Sequence, residues 1–240
     1  MLLRRAAEVG ATVAREGSEF GVASRAVAVG GQVLTVQGLA GVYDDLFVPL
    51  HGAHHAQNTA VALAAVEAFL GAGADTGVID IEVVRAALVG VSSPGRLEVV
   101  RGAPTVVVDA AHNPHGMAAS VAALGESFSF RRLIGVVAVL ADKDATGMLE
   151  QLEPVLDEIV VTENSSPRGL PADDLAALAV QVFGSDRVVV EPRLDDAIEA
   201  AVGLAEEGEE QLGGSGVLVT GSVVTAGEAR TLLGAGRRSR

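Results

Sequence analysis

From Thr105 onward, short β-branched runs alternate with longer segments whose apolar residues recur at helical spacing. The runs are TVVVD (105–109), LIGVVAVLAD (133–142), EIVVT (158–162), RVVVE (187–191) and GVLVTGS (216–222). Continuous Val/Ile/Leu without alternation marks strands buried on both faces, so the pattern predicts repeated βα units around a parallel sheet. Helices are expected near 115–125, 144–157, 171–183, 194–208 and 226–233. Pro171 followed by ADDL reads as a helix start with proline at the first helical position and carboxylates in the first turn. RLEVV (96–100) and TVVVD flank Arg101-Gly102-Ala103-Pro104, which predicts an antiparallel hairpin at the sheet edge. Residues 1–49 follow a different pattern: ASRAVAV and QVLTVQG are separated by Gly30-Gly31, so this part reads as strands and hairpins. Helices are expected at 56–70 and 80–90. The turn-rich stretch Gly90-Val91-Ser92-Ser93-Pro94-Gly95 separates the two patterns, which divides the chain into 1–91, a linker at 92–95, and 96–240. The final GAGRRSR is expected to fray.

Composition narrows the function classes. With 49% apolar and 20% charged residues in 240, the chain has material for a globular core. A net charge of -14 opposes sequence-independent binding to nucleic acid or to an anionic membrane. Cysteine is absent, which removes disulfides, thiolate nucleophiles and thiolate metal ligands. The opening residues lack the apolar core of a secretion signal and no apolar run is long enough to span a bilayer, so the cytoplasm is the expected location. Arginine supplies all but one of the 17 basic residues; the exception is Lys143, which follows VLAD and not a glycine-rich turn. The 240 residues therefore contain no G-x-x-x-x-G-K-[ST] phosphate loop.

In an open parallel sheet, ligands bind beyond the carboxyl ends of the strands, and here those ends are chemically loaded. The first run leads into DAAHNPHG, where Asp109, His112 and Asn113 suit a Mg-phosphate or carboxylate ligand, or else Asp109 and Asn113 merely cap the next helix. The second ends in ADKDATG with Asp142, Lys143 and Asp144, a solvated charged loop or an anion contact through the single lysine. Thr162, Ser165 and Arg168 follow the third, and Gly221 and Ser222 the fifth. HGAHHAQN (51–58) places His51, His54 and His55 at i, i+3 and i+4, a spacing that suits zinc; with Gly52 in the first turn and no acidic residue nearby in sequence, no metal site is assigned. Asn58 lies inside the helix that follows, where a buried amide would need a partner.

HGAHHAQNTAVALAAVEAFL, SSPGRLEVV, VVVDAAHNPHG, VLADKDATGMLEQLEPVLDEIVVTENSSPRGLPADDLA and VTGSVVTAGEAR occur in this order, and together they resemble the folylpolyglutamate synthase/dihydrofolate synthase branch of the Mur ligase family over nearly the whole chain. The resemblance implies an α/β fold: a Rossmann-like, mostly parallel sheet with flanking helices over 96–240, preceded at 1–91 by a β-rich and helical remnant of a P-loop ATPase domain. It implies ATP-dependent addition of L-glutamate to a folate or dihydropteroate carboxylate through an acyl phosphate, with ATP and Mg²⁺ as cofactors and small molecules as the only partners. The metal site would lie mostly upstream of the matched region, and a full-length member is expected to be monomeric. Carried over by motif, Asn58, Arg96 and Asp109 are ATP contacts, while His112, Asp109 and Lys143 are catalytic. Ser222 and His112 lie on the glutamate or phosphate side. The family's glycine-rich loop, folate loop, Mg-binding and modified-lysine positions have no counterpart in the matched residues, so the chain alone is expected to be inactive. HGAHHAQN also departs from the usual G-x-HQ-x-x-N. The rival expectation is a non-catalytic module that binds glutamate or a nucleotide for a separate partner.

Overall fold

The β-branched runs fold as strands, and the helices between them cover the strands on two faces. The computed structural model describes residues 1–71, 77–207 and 214–234, and the chain forms two compact units, Met1–Ser92 and Ser93–Arg240. Residue 208 of the expected helix at 194–208, and 235–240 of the tail, lie outside the described residues.

The first unit contains α1 (Leu2–Val9), an antiparallel sheet of β1 (Gly21–Ala28), β2 (Gly31–Gln37) and β3 (Val42–Val48), then α2 (Ala53–Phe69) and α3 (Ile81–Val89). Leu34, Val36, Tyr43, Leu46 and Val48 pack against Ala56, Ala60 and Leu63 of α2 and Val84 of α3. The expectation of strands and hairpins throughout 1–49 is corrected at α1. LLRRAAEV consists largely of good helix formers, Arg4 and Glu8 pair at i,i+4, and Gly10 closes the helix at φ 68°. Helix α2 begins three residues before the expected 56 and takes in His54 and His55. Its Glu67 is fully buried and accepts from Leu39 N (2.5 Å), Ala40 N (3.2 Å) and the Tyr43 hydroxyl (2.7 Å), tying the β2–β3 turn to the helix.

The second unit is a six-stranded sheet of β4 (Glu98–Gly102), β5 (Thr105–Val108), β6 (Arg132–Val137), β7 (Glu158–Val161), β8 (Val188–Val190) and β9 (Ser215–Thr220), in the order β4-β5-β9-β6-β7-β8. β4 pairs antiparallel with β5 and every other pairing is parallel. Helices α4 (Pro114–Ser127), α5 (Ala145–Leu152) and α6 (Ala172–Phe183) pack on one face with Val107, Val137, Ile159, Val161 and Leu218. On the other face, α7 (Leu194–Glu206) and α8 (Val223–Leu232) pack with Val106, Ile134, Val136, Val160, Val217 and Val219. Successive strand residues thus point to opposite layers, and because both layers are apolar the sequence shows no polar alternation.

The run expected as a strand over 133–142 pairs only as β6, Arg132–Val137, because the residues after Val137 leave the ladder for the loop zipped to the segment after β7, and three helix boundaries differ for local reasons. Helix α5 stops at Leu152, not 157, because Pro154 lacks an N–H and disfavours a helical predecessor. Pro171 is the N-cap of α6 instead of its first helical residue. Helix α8 starts at Val223, three residues early, because Ser222 caps it.

Candidate functional site

The carboxyl ends of β5, β9, β6 and β7 share one edge of the second unit, and the antiparallel β4 adds its start to that edge, with Glu98 opposite Val108. Asp109 ends β5 at 3% exposure. Its Oδ1 accepts from Ala111 N (2.9 Å) and the Ser120 hydroxyl (2.7 Å), and its Oδ2 from Leu97 N (3.1 Å). The helix cap is Asn113 alone, through Gly116 N at 2.8 Å, so Asp109 braces the edge from beneath.

Arg96 precedes β4 in a turn closed by Arg96 N donating to Ser93 O (3.1 Å). Among the described residues its half-buried guanidinium makes no hydrogen bond or ion pair. His112, also half-buried, contacts Ala110 O through Nδ1 at 3.1 Å. A carbonyl only accepts, so this bond puts a proton on Nδ1, and in the neutral ring Nε2 is then the acceptor.

After β6 the chain is zipped to the loop after β7: Ala141 N donates to Arg168 O and Leu170 N to Val139 O, both at 2.9 Å. Asp142 sits in this ribbon and binds Arg168 Nη2 at 2.6 Å and Lys143 Nζ at 3.2 Å. The Arg168 guanidinium, and then the Lys143 ammonium, hold its exposed carboxyl below the ordinary aspartate range. Asp144 is the N-cap of α5 through Gly147 N (2.9 Å). Lys143 is therefore tethered at the edge with about a third of its side chain exposed.

Ser222 is 1% exposed and occupied within the protein. Its hydroxyl accepts from Thr225 N (3.0 Å) and Asn164 Nδ2 (3.2 Å), and lies 2.7 Å from Thr225 Oγ1, which itself donates to Ala138 O at 3.1 Å. That last bond uses the threonine proton, so Ser222 is the donor between the two hydroxyls and its bonding capacity is filled. Gly221 (φ +110°) makes the turn possible, because a Cβ there would overlap the Ala138 carbonyl. Asn164 was not among the expected site residues, although its place just past a strand end is the signal that marks the others. Ser165 donates to Glu228, and the buried Thr162 hydroxyl has no hydrogen-bond partner among the described residues.

Asn58 belongs to the first unit, exposed on α2, so burial does not oblige its amide to find a partner. The His54 and His55 rings lie 4.2 Å apart between centroids, and burial holds His51 below the ordinary histidine range. Among the described residues, no three His, Cys, Asp or Glu side chains gather as metal ligands.

Comparison with known proteins matches residues 95–223 to the Mur ligase, glutamate ligase domain. A dihydrofolate synthase/folylpolyglutamate synthase of Mycobacterium tuberculosis is 51% identical over 241 residues, 98% of this chain and 49% of that protein. A crystal structure of Mycobacterium tuberculosis folylpolyglutamate synthase complexed with ADP and AMPPCP superposes with a TM-score of 0.92 at 52% identity, covering 97% of this chain and 52% of that one. E. coli FolC in complex with DHPP and ADP gives 0.77 at 26% identity, over 98% and 51%. The chain spans about half the length of these relatives. The family match runs from the turn before β4 to the first residue of α8 and so takes in the whole parallel sheet, and the chain belongs to the Mur ligase family.

Proposed function

We propose that this chain is part of an ATP-dependent ligase that joins L-glutamate to the carboxylate of a folate or dihydropteroate. The observation that carries the reading is the presence of Arg96, His112 and Lys143 at one carboxyl edge of a Mur ligase sheet, with the Arg96 side chain and the Nε2 of His112 making no hydrogen bond among the described residues. In this reading the γ-phosphoryl group of ATP passes to the carboxylate, releasing ADP, and the glutamate amine attacks the acyl phosphate. The C–O bond to phosphate breaks as the amide forms. Arg96 meets the ATP phosphates, where positive charge stabilises the transferring group. Lys143 meets a glutamate carboxylate, and His112 Nε2 takes the proton the amine must lose. Asp109 and Ser222 act by holding the edge, their polar atoms being bonded inside it. Asn58 is the adenine-side contact by motif, and 1–91 belongs to the central ATPase domain. Mg²⁺ would be held mostly by residues upstream of the matched region together with the ATP phosphates, since no three His, Cys, Asp or Glu side chains gather among the described residues. No helix among them is long and apolar enough to cross a membrane, and the reading places a monomeric ligase in the cytoplasm.

The test compares the 240-residue chain with a polypeptide extended at its amino terminus by the matching half of the Mycobacterium tuberculosis relative. ADP release and glutamylated product are expected from the extended protein alone, because the 240 residues hold no lysine-bearing phosphate loop. Loss of even one charge-stabilising group commonly costs about 3 kcal/mol of barrier. Tight glutamate or nucleotide binding by the 240 residues, with no activity in the extended protein, would instead favour the non-catalytic module.

A further inference from the structure

The turn carrying Arg96 is held by groups for which the proposed chemistry has no other use. Gly95 donates its N–H to Glu98 Oε2 at 2.7 Å and accepts from Ala110 N at 2.8 Å, while Leu97 N is held by Asp109. Both neighbours of Arg96 are thus pinned. Glu98 is in turn gripped by Arg230 in the last turn of α8: Nε donates to Oε2 at 2.6 Å and Nη2 to Oε1 at 3.3 Å. This is the two-pronged geometry that sets orientation as well as distance. Gly95 has φ +72°, and a Cβ there would lie 3.5 Å from Ala226 Cβ and 3.8 Å from Arg230 Cδ, so the turn rests directly on α8. The amino end of α8 is itself anchored by the buried hydroxyl network of Ser222 and Thr225.

We infer that Glu98 and Arg230 are positioning residues for Arg96, transmitting the fixed position of α8 to the turn so that the guanidinium is presented preorganised. The inference rests on the reading that Arg96 meets the ATP phosphates. An ion pair whose side chains are each 27% exposed adds little to stability. Placement is a different matter, since a displacement of about 1 Å in a reacting site costs up to roughly hundredfold in rate. A large kinetic effect with a small stability effect is therefore the signature of this clamp.

Hydrogen exchange on the 240-residue chain reads the turn directly. Glu98→Ala and Arg230→Met are expected to speed exchange at Gly95 by tenfold or more while amides of β5, β6 and β9 keep their rates. Methionine retains the apolar stem beside Gly95, and Arg230→Lys, which keeps the charge but loses the fork, serves if the first variant folds poorly. In the extended ligase, each variant should lower kcat/KM for ATP roughly tenfold or more with the KM for glutamate unchanged, and the double variant should add little, as expected for one coupled unit. Arg96→Ala is the control. If it cripples ATP use while the clamp variants leave both exchange and kinetics unaltered, the positioning role is overturned and the ATP-side reading survives. If Arg96→Ala is itself silent, the reading on which the inference rests falls.

Discussion

Asp109 Oδ2 receives the backbone N–H of Leu97 at 3.1 Å, and Leu97 is held there at φ 45°, in the left-handed region. That conformation costs a non-glycine residue about 1–2 kcal/mol. Leu97 is 3% exposed and packs in the core under α4 and α5, so burial compensates for the strain. Leu97→Gly is expected to destabilise the second unit despite relieving the backbone, because deleting a buried leucine side chain costs about 2–5 kcal/mol. Asp109→Asn should cost about 1–3 kcal/mol, since its amide sets a donor against Leu97 N or against the Ala111 and Ser120 donors. Urea unfolding of each variant measures both, and a wild-type midpoint for Asp109→Asn would show that the carboxylate does not brace the turn.

The Ser222 hydroxyl caps α8 and closes a network with Asn164, Thr225 and Ala138 O. Ser222→Ala should cost about 1–3 kcal/mol, from the lost cap and the buried donors left without an acceptor. Asn164→Ala should fall in the same range, and the double variant should cost less than the sum because the two share bonds. Strict additivity in thermal unfolding would mean that the network is not a unit.

Asp142 binds Arg168 and Lys143 together, and its carboxyl is held low by the arginine first and the lysine second. A depressed folded-state value means that the pairing is complete above the ordinary aspartate range and is lost as pH falls through the lower value. Arg168→Ala should raise the Asp142 midpoint toward that range, and Lys143→Ala should raise it less. Carboxyl ¹³C titration by NMR gives the answer; an unmoved midpoint in Arg168→Ala would show that the pair does not persist in solution.

Lys143→Ala separates tethering from catalysis. In the extended ligase it should impair glutamate use or turnover, while the melting temperature stays close to wild type, as expected of a partly exposed loop residue. Unaltered steady-state kinetics would make Lys143 a solvated member of the Asp142 cluster and nothing more.

The parallel sheet was legible because a strand buried on both faces must be apolar at every position, and the runs ending at Asp109 and Thr162 could be little else. The strand-end rule points to Asp109, His112, Lys143 and Ser222, and Asn164, three residues past the end of β7, meets the same rule. Helix α1 is hard to read from sequence for a local reason: it is only eight residues long, buries no side chain, and adjoins the hairpin-rich stretch that follows. Glu67 carried no signal, because a single carboxylate in a helix of small residues reads as solvent-facing until Leu39, Ala40 and Tyr43 are placed around it.

Over 96–240 the order of residues by itself determined which segments are strands and helices and which chemical groups end up at the carboxyl edge, since both follow from short-range periodicity and from the direction of the chain. Only the tertiary structure decided that β9 inserts between β5 and β6, that Asp109 and Ser222 have bonding partners inside the protein while the Arg96 side chain and Nε2 of His112 have none among the described residues, and that Glu98 meets Arg230, 132 positions away in sequence. The reason is physical. Whether a polar atom is free to meet a ligand depends on which other groups have filled its bonding capacity, and those groups come from segments that no local pattern connects.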